Sequence, residues 1–246
     1  MIKKIKKIIL DTLFPIACIS CQKSDFWICK KCFQKIPILR EQVCPACERE
    51  ITLSGFLCQN CRRKEKNGLD ALISAVSYDN PIVKIMVYNF KYRFTDSLSK
   101  PLAQLQIKAL LQNNLPLPQA IVPVPLHPRR LRWRGFNQAL LIAKNISKNL
   151  VPPLEIPVLD ILERKKYNQP QMKLKKYEER LQNVKDLFRI KSDTDDKVNY
   201  LKGKFVYLVD DVATTGATLK ECAKVLKKIG VKKVFAIVIA RQTLKK

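Results

Sequence analysis

The chain has 246 residues, 47% of them apolar, and a formal net charge of +26. This length suits one sizeable α/β core with a smaller module and excludes two large domains. No apolar stretch approaches the roughly 18 residues of a membrane-spanning helix. The 47 Lys and Arg residues outnumber the 21 Asp and Glu residues far beyond what solubility requires. This excess indicates a polyanionic partner or an anionic surface, although a lysine-rich source genome would also contribute to it.

The first residues predict a short basic amphipathic helix, since lysines separate apolar residues at helical spacing: Ile2, Ile5, Ile8, Ile9 and Leu13. Such a helix suits packing on the module that follows, which we favour, or contact with a membrane or a partner. The same stretch imitates a lipoprotein signal. However, Asp11 interrupts its apolar patch and Cys18 already belongs to a cysteine pair. We therefore expect a cytoplasmic protein.

Eight of the nine cysteines form four CxxC pairs before residue 62: Cys18 and Cys21, Cys29 and Cys32, Cys44 and Cys47, Cys58 and Cys61. A CxxC pair presents two thiolates on one tight turn, so two pairs complete a tetrahedral zinc site and four pairs complete two structural sites. Pairing neighbours along the chain gives one site from the first four cysteines and another from the last four. An interleaved arrangement stays open as the alternative, because the sequence identifies the ligands better than their partners. Basic and aromatic residues around the pairs would suit nucleic acid or the small core of the ribbons.

A polar connection at 64–68 separates this module, residues 1–66, from a larger domain, residues 67–246. The larger domain alternates strand and helix patterns: strands at 72–78 and 120–124, helices at 82–90 and 98–111. This alternation predicts an α/β fold with a parallel sheet. Residues 192–199 are polar and predict an exposed turn, and a last buried strand is expected at 234–240.

The segment that follows the second predicted strand is rich in arginine and aromatic residues. Arg129, Arg130, Arg132 and Arg134, with Arg164 later in the chain, suit pyrophosphate or nucleic-acid phosphate, and Trp133 and Phe136 lie among them. Asn137 is placed to cap a helix that runs to 150. His127, between two prolines, is expected to be a loop residue with a structural hydrogen bond. The strongly basic segment 164–188 predicts a mobile loop or a solvated helix.

The sequence KFVYLVDDVATTGATL, residues 204–219, organises the domain. An apolar run, 205–209, predicts a strand buried on both faces, and it ends at Asp210 and Asp211. A turn of small residues then leads into a helix pattern that ends near Gly230: Ala213, Thr214, Thr215, Gly216, Ala217 and Thr218. Such a turn can surround a phosphate with backbone N–H groups and hydroxyls, and the acids can accept hydrogen bonds from a sugar or help to hold hydrated magnesium.

This stretch resembles the phosphoribosyl-pyrophosphate motif of type I phosphoribosyltransferases. The resemblance implies that Asp210 and Asp211 meet the ribose hydroxyls and that the loop at 213–218 holds the 5′-phosphate.

Nearly the whole chain is similar to the ComF family of competence-associated proteins. The likeness lies in the cysteine pairs, in VPVPLHPRRLRWRGFNQA, in VDDVATTGATL and in the spacing of Arg164, Gln171, Leu174, Arg180, Asn183 and Phe188. Lys173 and Asp186 depart from it, since the family usually has glycine there.

Membership of that family implies a phosphoribosyltransferase-type fold and the handling of incoming single-stranded DNA in natural transformation, with DNA-uptake proteins as partners. The first hypothesis is therefore a DNA-handling protein that binds phosphoribosyl pyrophosphate with magnesium. The alternative is an active phosphoribosyltransferase of nucleotide metabolism, with Asp210 and Asp211 as catalytic residues and an acceptor that the sequence does not identify.

Overall fold

The computed structural model describes residues 16–65, 68–93, 95–165 and 186–242. The predicted N-terminal helix lies outside these ranges. So does most of the basic segment at 164–188, including Gln171, Lys173, Leu174, Arg180 and Asn183.

The cysteine-rich module is built from short elements around its two cysteine clusters. They are helix α1 (Lys30–Gln34), strands β1 (Gln42–Val43) and β2 (Ile51–Thr52), a 3₁₀ turn (Leu53–Gly55) and helix α2 (Gln59–Lys64). β1 and β2 pair in antiparallel fashion. Elements this short bury little apolar surface, so metal ligation is needed to stabilise them.

The larger domain contains a parallel sheet, as expected from its buried apolar runs. Its strands are β3 (Ala71–Ser77), β4 (Ala120–Pro123), β7 (Phe205–Val209), β8 (Val212–Ala213) and β9 (Lys233–Arg241). Their order is β3-β9-β7-β4, and β8 continues alongside β9 after β7 has ended. Two further strands, β5 (Leu162–Arg164) and β6 (Phe188–Ile190), form a separate antiparallel pair.

Helices cover both faces of the sheet. They are α3 (Pro81–Tyr92), α4 (Ser99–Asn113), α5 (Pro128–Arg134), α6 (Gln138–Asn149), α7 (Asp195–Leu201) and α8 (Ala217–Lys228). Residues of α3, α4 and α6 pack in one core cluster with inward side chains such as Tyr207 and Ile237. α8 packs in the other cluster with Leu208 and Val238. The predicted α/β architecture is therefore confirmed. No helix in the described ranges is long and apolar enough to cross a membrane.

The sequence prediction was wrong at 192–199, where the structure has α7 rather than an exposed turn. Thr194 precedes this helix, and Asp195 and Asp196 lie in its first turn, where negative charge is favoured by the helix dipole. The helix α5 was not predicted either. It is stabilised at its start by His127, whose Nδ1 accepts a hydrogen bond from the Arg129 N–H at 3.2 Å, and it ends at Gly135 with φ of 74°.

The cysteine-rich module packs directly on β3. The Leu39 N–H donates to the Ala75 carbonyl at 2.9 Å, and the Gln42 side chain bonds both backbone groups of Ser74. Gly55 has φ of +66°, and a Cβ there would approach the Leu72 carbonyl oxygen to 2.2 Å. A side chain at this position is excluded, so the close approach of the two parts depends on glycine.

Candidate phosphate-binding site and zinc centres

The two acids lie at the carboxyl edge of the parallel sheet, immediately after β7. Their backbones stay attached to β9, since the Asp210 N–H donates to Ile237 O at 3.1 Å and the Ile239 N–H donates to Asp211 O at 2.9 Å. Gln106 of α4 also donates to the Asp210 carbonyl at 2.9 Å. Ligands of open α/β sheets collect at this edge, so the acids occupy a position where a ligand is expected.

The predicted loop follows directly and leads into α8. Thr215 is fully buried, and its hydroxyl accepts a hydrogen bond from the Ala217 N–H at 3.3 Å. Gly216 has φ of +65°, and no neighbouring atom lies within 4 Å of the position of a Cβ. The open space above Gly216 and the start of a helix of 12 residues at Ala217 create favourable conditions for an anion. Thr214 and Thr218 are half-buried at the two ends of this turn.

The two carboxyl groups differ in their surroundings. Burial, reinforced by the neighbouring charge of Asp211, raises the pKa of Asp210 to about 7, although Lys91 and Arg134 oppose the shift. Asp211 Oδ1 forms an ion pair with Lys91 Nζ at 2.9 Å and accepts a hydrogen bond from the Val212 N–H at 2.6 Å. The pair therefore combines a carboxyl group close to half-protonated at neutral pH with a neighbouring carboxylate that is already paired with a cation.

Sequence reasoning missed Lys91 as a site residue. It lies in the last turn of α3, far from residue 211 in sequence. The sequence did contain one indication that Lys91 belongs to the site. Lys91, Tyr92 and Arg93 lie together at the end of the helix that follows the first strand of the sheet. Arg134, which was predicted, lies within electrostatic range of Asp210 and donates to Gln138 Oε1 at 3.1 Å. Two cations from separate helices thus accompany the acids.

The other predicted arginines are distributed along the same edge. Arg129 and Arg132 are exposed on α5, and Arg130 is half-buried. Their charges, together with that of Arg164, lower the pKa of His127, and burial contributes the largest part of that shift. The hydrogen bond that His127 accepts from the Arg129 N–H is the structural hydrogen bond expected of it, although the residue caps a helix that was not predicted. Arg164, at the end of β5, lies over the Phe188 ring at 5.7 Å.

The eight predicted zinc ligands form two clusters, and the pairing of neighbours along the chain is confirmed. Each cluster has its four sulfur atoms within 4.8 Å of one another: Cys18, Cys21, Cys29 and Cys32; Cys44, Cys47, Cys58 and Cys61. A tetrahedral ion with Zn–S bonds of about 2.3 Å separates its sulfurs by about 3.8 Å, and the Cys21 and Cys29 sulfurs lie 3.6 Å apart. Both clusters therefore fit a structural zinc ion.

Backbone amides of the turns favour thiolates in both clusters. Burial opposes ionisation of Cys18, but N–H groups that include that of Cys29 lower the pKa of its thiol to about 6. The N–H groups of Glu50 and Arg49 lower the pKa of Cys47 to about 6. Burial and neighbouring thiols raise the pKa of Cys61 to about 12, and neighbouring thiols raise that of Cys21 to about 11. Each cluster therefore has one thiol that ionises readily and another that must lose its proton when zinc binds. Cys222, by contrast, is fully buried within α8, and burial raises the pKa of its thiol, as expected for a core residue.

Two family models match the chain in agreement with this architecture. The model of the phosphoribosyl transferase domain matches residues 137–245, and the model of the double zinc ribbon domain matches residues 9–62. Fold and sites thus define a protein with a phosphoribosyltransferase domain and an N-terminal double zinc ribbon.

Curated relatives extend the likeness over most of the chain. Competence protein F of Haemophilus influenzae is 32% identical over 93% of this chain and 98% of its own length. Competence protein ComFC of Bacillus subtilis is 28% identical over 85% of this chain and 81% of its own length. DNA utilization protein YhgH of Salmonella typhi is 28% identical over 84% of this chain and 87% of its own length. The chain belongs to the ComF family of competence-associated proteins, as its motifs predicted.

Proposed function

We propose that this protein binds phosphoribosyl pyrophosphate and handles single-stranded DNA during natural transformation. One observation carries the proposal: the acids, the threonine-rich loop, Lys91 and Arg134 share the carboxyl edge of the sheet, where α5 also presents its arginines. Relatives named for competence and for DNA utilization support the biological role.

In the proposed complex, Asp210 and Asp211 accept hydrogen bonds from the ribose hydroxyls. The 5′-phosphate lies in the loop at 213–218, where backbone N–H groups and the Thr214, Thr215 and Thr218 hydroxyls serve as donors. Magnesium would supply additional positive charge to the pyrophosphate. Lys91 and Arg134 contribute fixed positive charge beside it.

Single-stranded DNA would bind by attraction of its phosphates to α5. Arg129 and Arg132 are exposed there, and an arginine fork matches phosphate oxygens. The chain as a whole carries 26 more positive than negative charges, which favours association with any polyanion. The arginines of α5 would direct this attraction to the surface beside the candidate site.

Salt-dependent DNA binding tests this part of the proposal. Fluorescence anisotropy with a labelled oligothymidylate should show affinity that falls as salt rises, with a slope of about 0.7 for each phosphate contact. Replacing Arg129, Arg130 and Arg132 by alanine should weaken binding and flatten the slope. The matched control replaces Lys197, Lys202 and Lys232, at or near the opposite edge of the sheet, and removes the same charge. Equal effects of the two triple variants, or binding that ignores salt, would contradict the proposal.

The second candidate function is catalysis by the same pocket in nucleotide metabolism. The raised pKa of Asp210 supports this candidate, because a carboxyl group with a pKa of about 7 can accept or release a proton near neutral pH. Pyrophosphate release that requires an added acceptor and is lost in Asp211→Asn would establish transfer. Release that fails with every base, amine and nucleic acid tried would leave a binding site alone.

We also propose that the protein acts in the cytoplasm beside DNA-uptake proteins, and that its units are residues 1–66 and 67–246. Limited proteolysis would test the boundary, because cleavage near 66 should yield a zinc-free fragment of the larger domain. Preferred cleavage within either proposed unit, outside the basic segment at 164–188, would argue against this division.

A further inference from the structure

Two helices beside Asp210 and Asp211 expose aromatic rings to solvent. Tyr88 and Tyr92 of α3 are 55% and 36% exposed, and Trp133 of α5 is 55% exposed. The Tyr88 and Tyr92 ring centroids lie 5.1 Å apart, and those of Tyr92 and Trp133 lie 5.9 Å apart. The three residues therefore form one continuous surface, called here the aromatic platform, although Trp133 lies 41 positions after Tyr92 in the sequence.

Such exposure is unusual for aromatic side chains that serve only to pack the hydrophobic core. Large aromatic rings usually bury most of their area, and clustered exposed rings indicate a binding surface. Ile85 and Leu131 are 45% and 41% exposed on the same two helices, so apolar surface extends beyond the rings.

Positive charge surrounds the aromatic platform. The Arg134 guanidinium lies 5.4 Å from the Tyr92 ring centroid, and Arg93 directly follows Tyr92 at the end of α3. Arg129 and Arg132 are exposed on the helix that carries Trp133. Aromatic rings among cations match a strand that has unpaired bases and a phosphate backbone, and they match an acidic or purely apolar partner less well.

The platform also adjoins the two acids of the candidate site. Lys91, whose Nζ pairs with Asp211, immediately precedes Tyr92. Arg134 immediately follows Trp133 and acts on both Tyr92 and Asp210. A base stacked on the platform would therefore lie beside the acids that are proposed to bind ribose.

We propose that Tyr88, Tyr92 and Trp133 form a stacking platform for unpaired bases of single-stranded DNA beside Asp210 and Asp211 at the carboxyl edge of the sheet. This inference rests on the proposed DNA-binding function and adds to it a base-contacting surface that is distinct from the phosphate-contacting arginines. The strand would be held on one side through its phosphates and on the other through its bases.

An oligonucleotide without bases separates the two contributions. Anisotropy titrations would compare oligothymidylate with an abasic deoxyribose-phosphate oligomer of equal length. The wild-type protein should prefer the strand with bases. Tyr92→Leu and Trp133→Leu should each weaken oligothymidylate binding by at least about fivefold, the lower range for one stacked base, and leave the abasic strand unaffected.

Tyr200→Leu is the matched control, because Tyr200 is 40% exposed but its hydroxyl bonds Gln119 at the amino edge of the sheet. It should leave both affinities unchanged. Circular dichroism and zinc content would confirm that each variant is folded. Quenching of Trp133 emission by oligothymidylate in a Trp27→Phe background provides a second measurement that needs no change in the platform.

The outcomes distinguish this inference from the function on which it rests. Equal binding of the two oligomers by the wild-type protein, with unquenched Trp133, would overturn the platform and leave phosphate binding intact. Binding of neither oligomer would overturn the proposed function itself. A loss of affinity in Tyr200→Leu as large as that in Tyr92→Leu would also contradict the assignment.

Discussion

Asp210 and Asp211 are adjacent in sequence and have different electrostatic surroundings. Asp211 is 6% exposed and is paired with Lys91, whereas burial and the charge of Asp211 raise the pKa of Asp210 to about 7. Two adjacent carboxylates in a shielded site cannot both ionise easily without a partner. A ligand with hydroxyl donors, or a cation, would relieve this repulsion.

Asp210→Asn should stabilise the ligand-free protein at pH 8 more than at pH 4. The unfolded chain ionises Asp210 near pH 4, and the folded chain does so near 7, so stability falls as pH rises between these values. Asparagine does not ionise, so the variant does not undergo this loss of stability. Melting temperatures measured at both pH values without magnesium would check this, with the exposed Asp193→Asn as the control for lost charge. An equal gain at both pH values would contradict the expectation.

Lys91→Met should destabilise the protein by about 3 kcal/mol, because Asp211 would remain buried without its cation. Adding Asp211→Asn should recover much of that loss. Urea unfolding of the two single variants and the double variant measures the coupling. Lys84→Met is the control on the same helix, since the Lys84 pair with Asp79 is largely exposed and should contribute less than about 1 kcal/mol. Additive effects of Lys91→Met and Asp211→Asn would mean that the pair does not act as a unit.

Much of the candidate site could be predicted at the level of residues. The acids, the loop and the eight cysteines follow from local spacing, and the structure places each cysteine in the neighbour pairing. Asp186, where the resemblance suggests glycine, has φ of 54°, which is the conformation that favours glycine. Lys91 could not be assigned, because its partner Asp211 is distant in sequence and only folding brings them together.

The second zinc ribbon is connected through β9 to the candidate phosphate-binding loop at 213–218, called here the phosphate loop. Glu48 directly follows the Cys44–Cys47 turn, and its Oε1 lies 2.8 Å from Arg241 Nη2. Arg241 pairs in register with Ala213, and the Gln242 N–H donates to the Ala213 carbonyl at 2.9 Å. The start of the phosphate loop therefore depends on a strand end that the ribbon holds.

Loss of the second zinc ion should loosen the phosphate loop. Cys47→Ser is expected to increase amide hydrogen exchange at residues 213–217 and 240–242, since Glu48 would no longer be held in place. Cys21→Ser, in the first cluster, removes the other ion and is the matched control. Mass spectrometry would record zinc content and exchange together. Equal exchange in the two variants at these residues would argue against the connection.

Strands and longer helices were predictable because they carry strong apolar periodicity. The structure has β3 at 71–77, α6 at 138–149 and β9 at 233–241, each within a few residues of its predicted bounds. α5 and α7 are only 7 residues long and mostly polar, so periodicity does not define them: α5 depends on its caps His127 and Gly135, and α7 has Asp195 and Asp196 in its first turn. The pair β5 and β6 was also missed, because strands of 3 residues have too little pattern.

At the level of the whole molecule, part of the net charge of +26 lies on α5, which carries four arginines. The sequence indicated a polyanionic partner but left its binding surface open. The structure places the arginines of α5, the aromatic platform and the two acids near the carboxyl edge of one sheet. That shared edge supports the view that binding of phosphoribosyl pyrophosphate and binding of DNA influence one another.

A calorimetric titration of phosphoribosyl pyrophosphate with magnesium, with and without saturating single-stranded DNA, tests this account most directly. We expect binding in both cases and a changed dissociation constant in the presence of DNA. The reverse titration should show a change by the same factor, because coupling between two ligands is reciprocal. Asp211→Asn should weaken the binding of phosphoribosyl pyrophosphate. Absence of binding, or a dissociation constant that DNA leaves unchanged, would contradict the account.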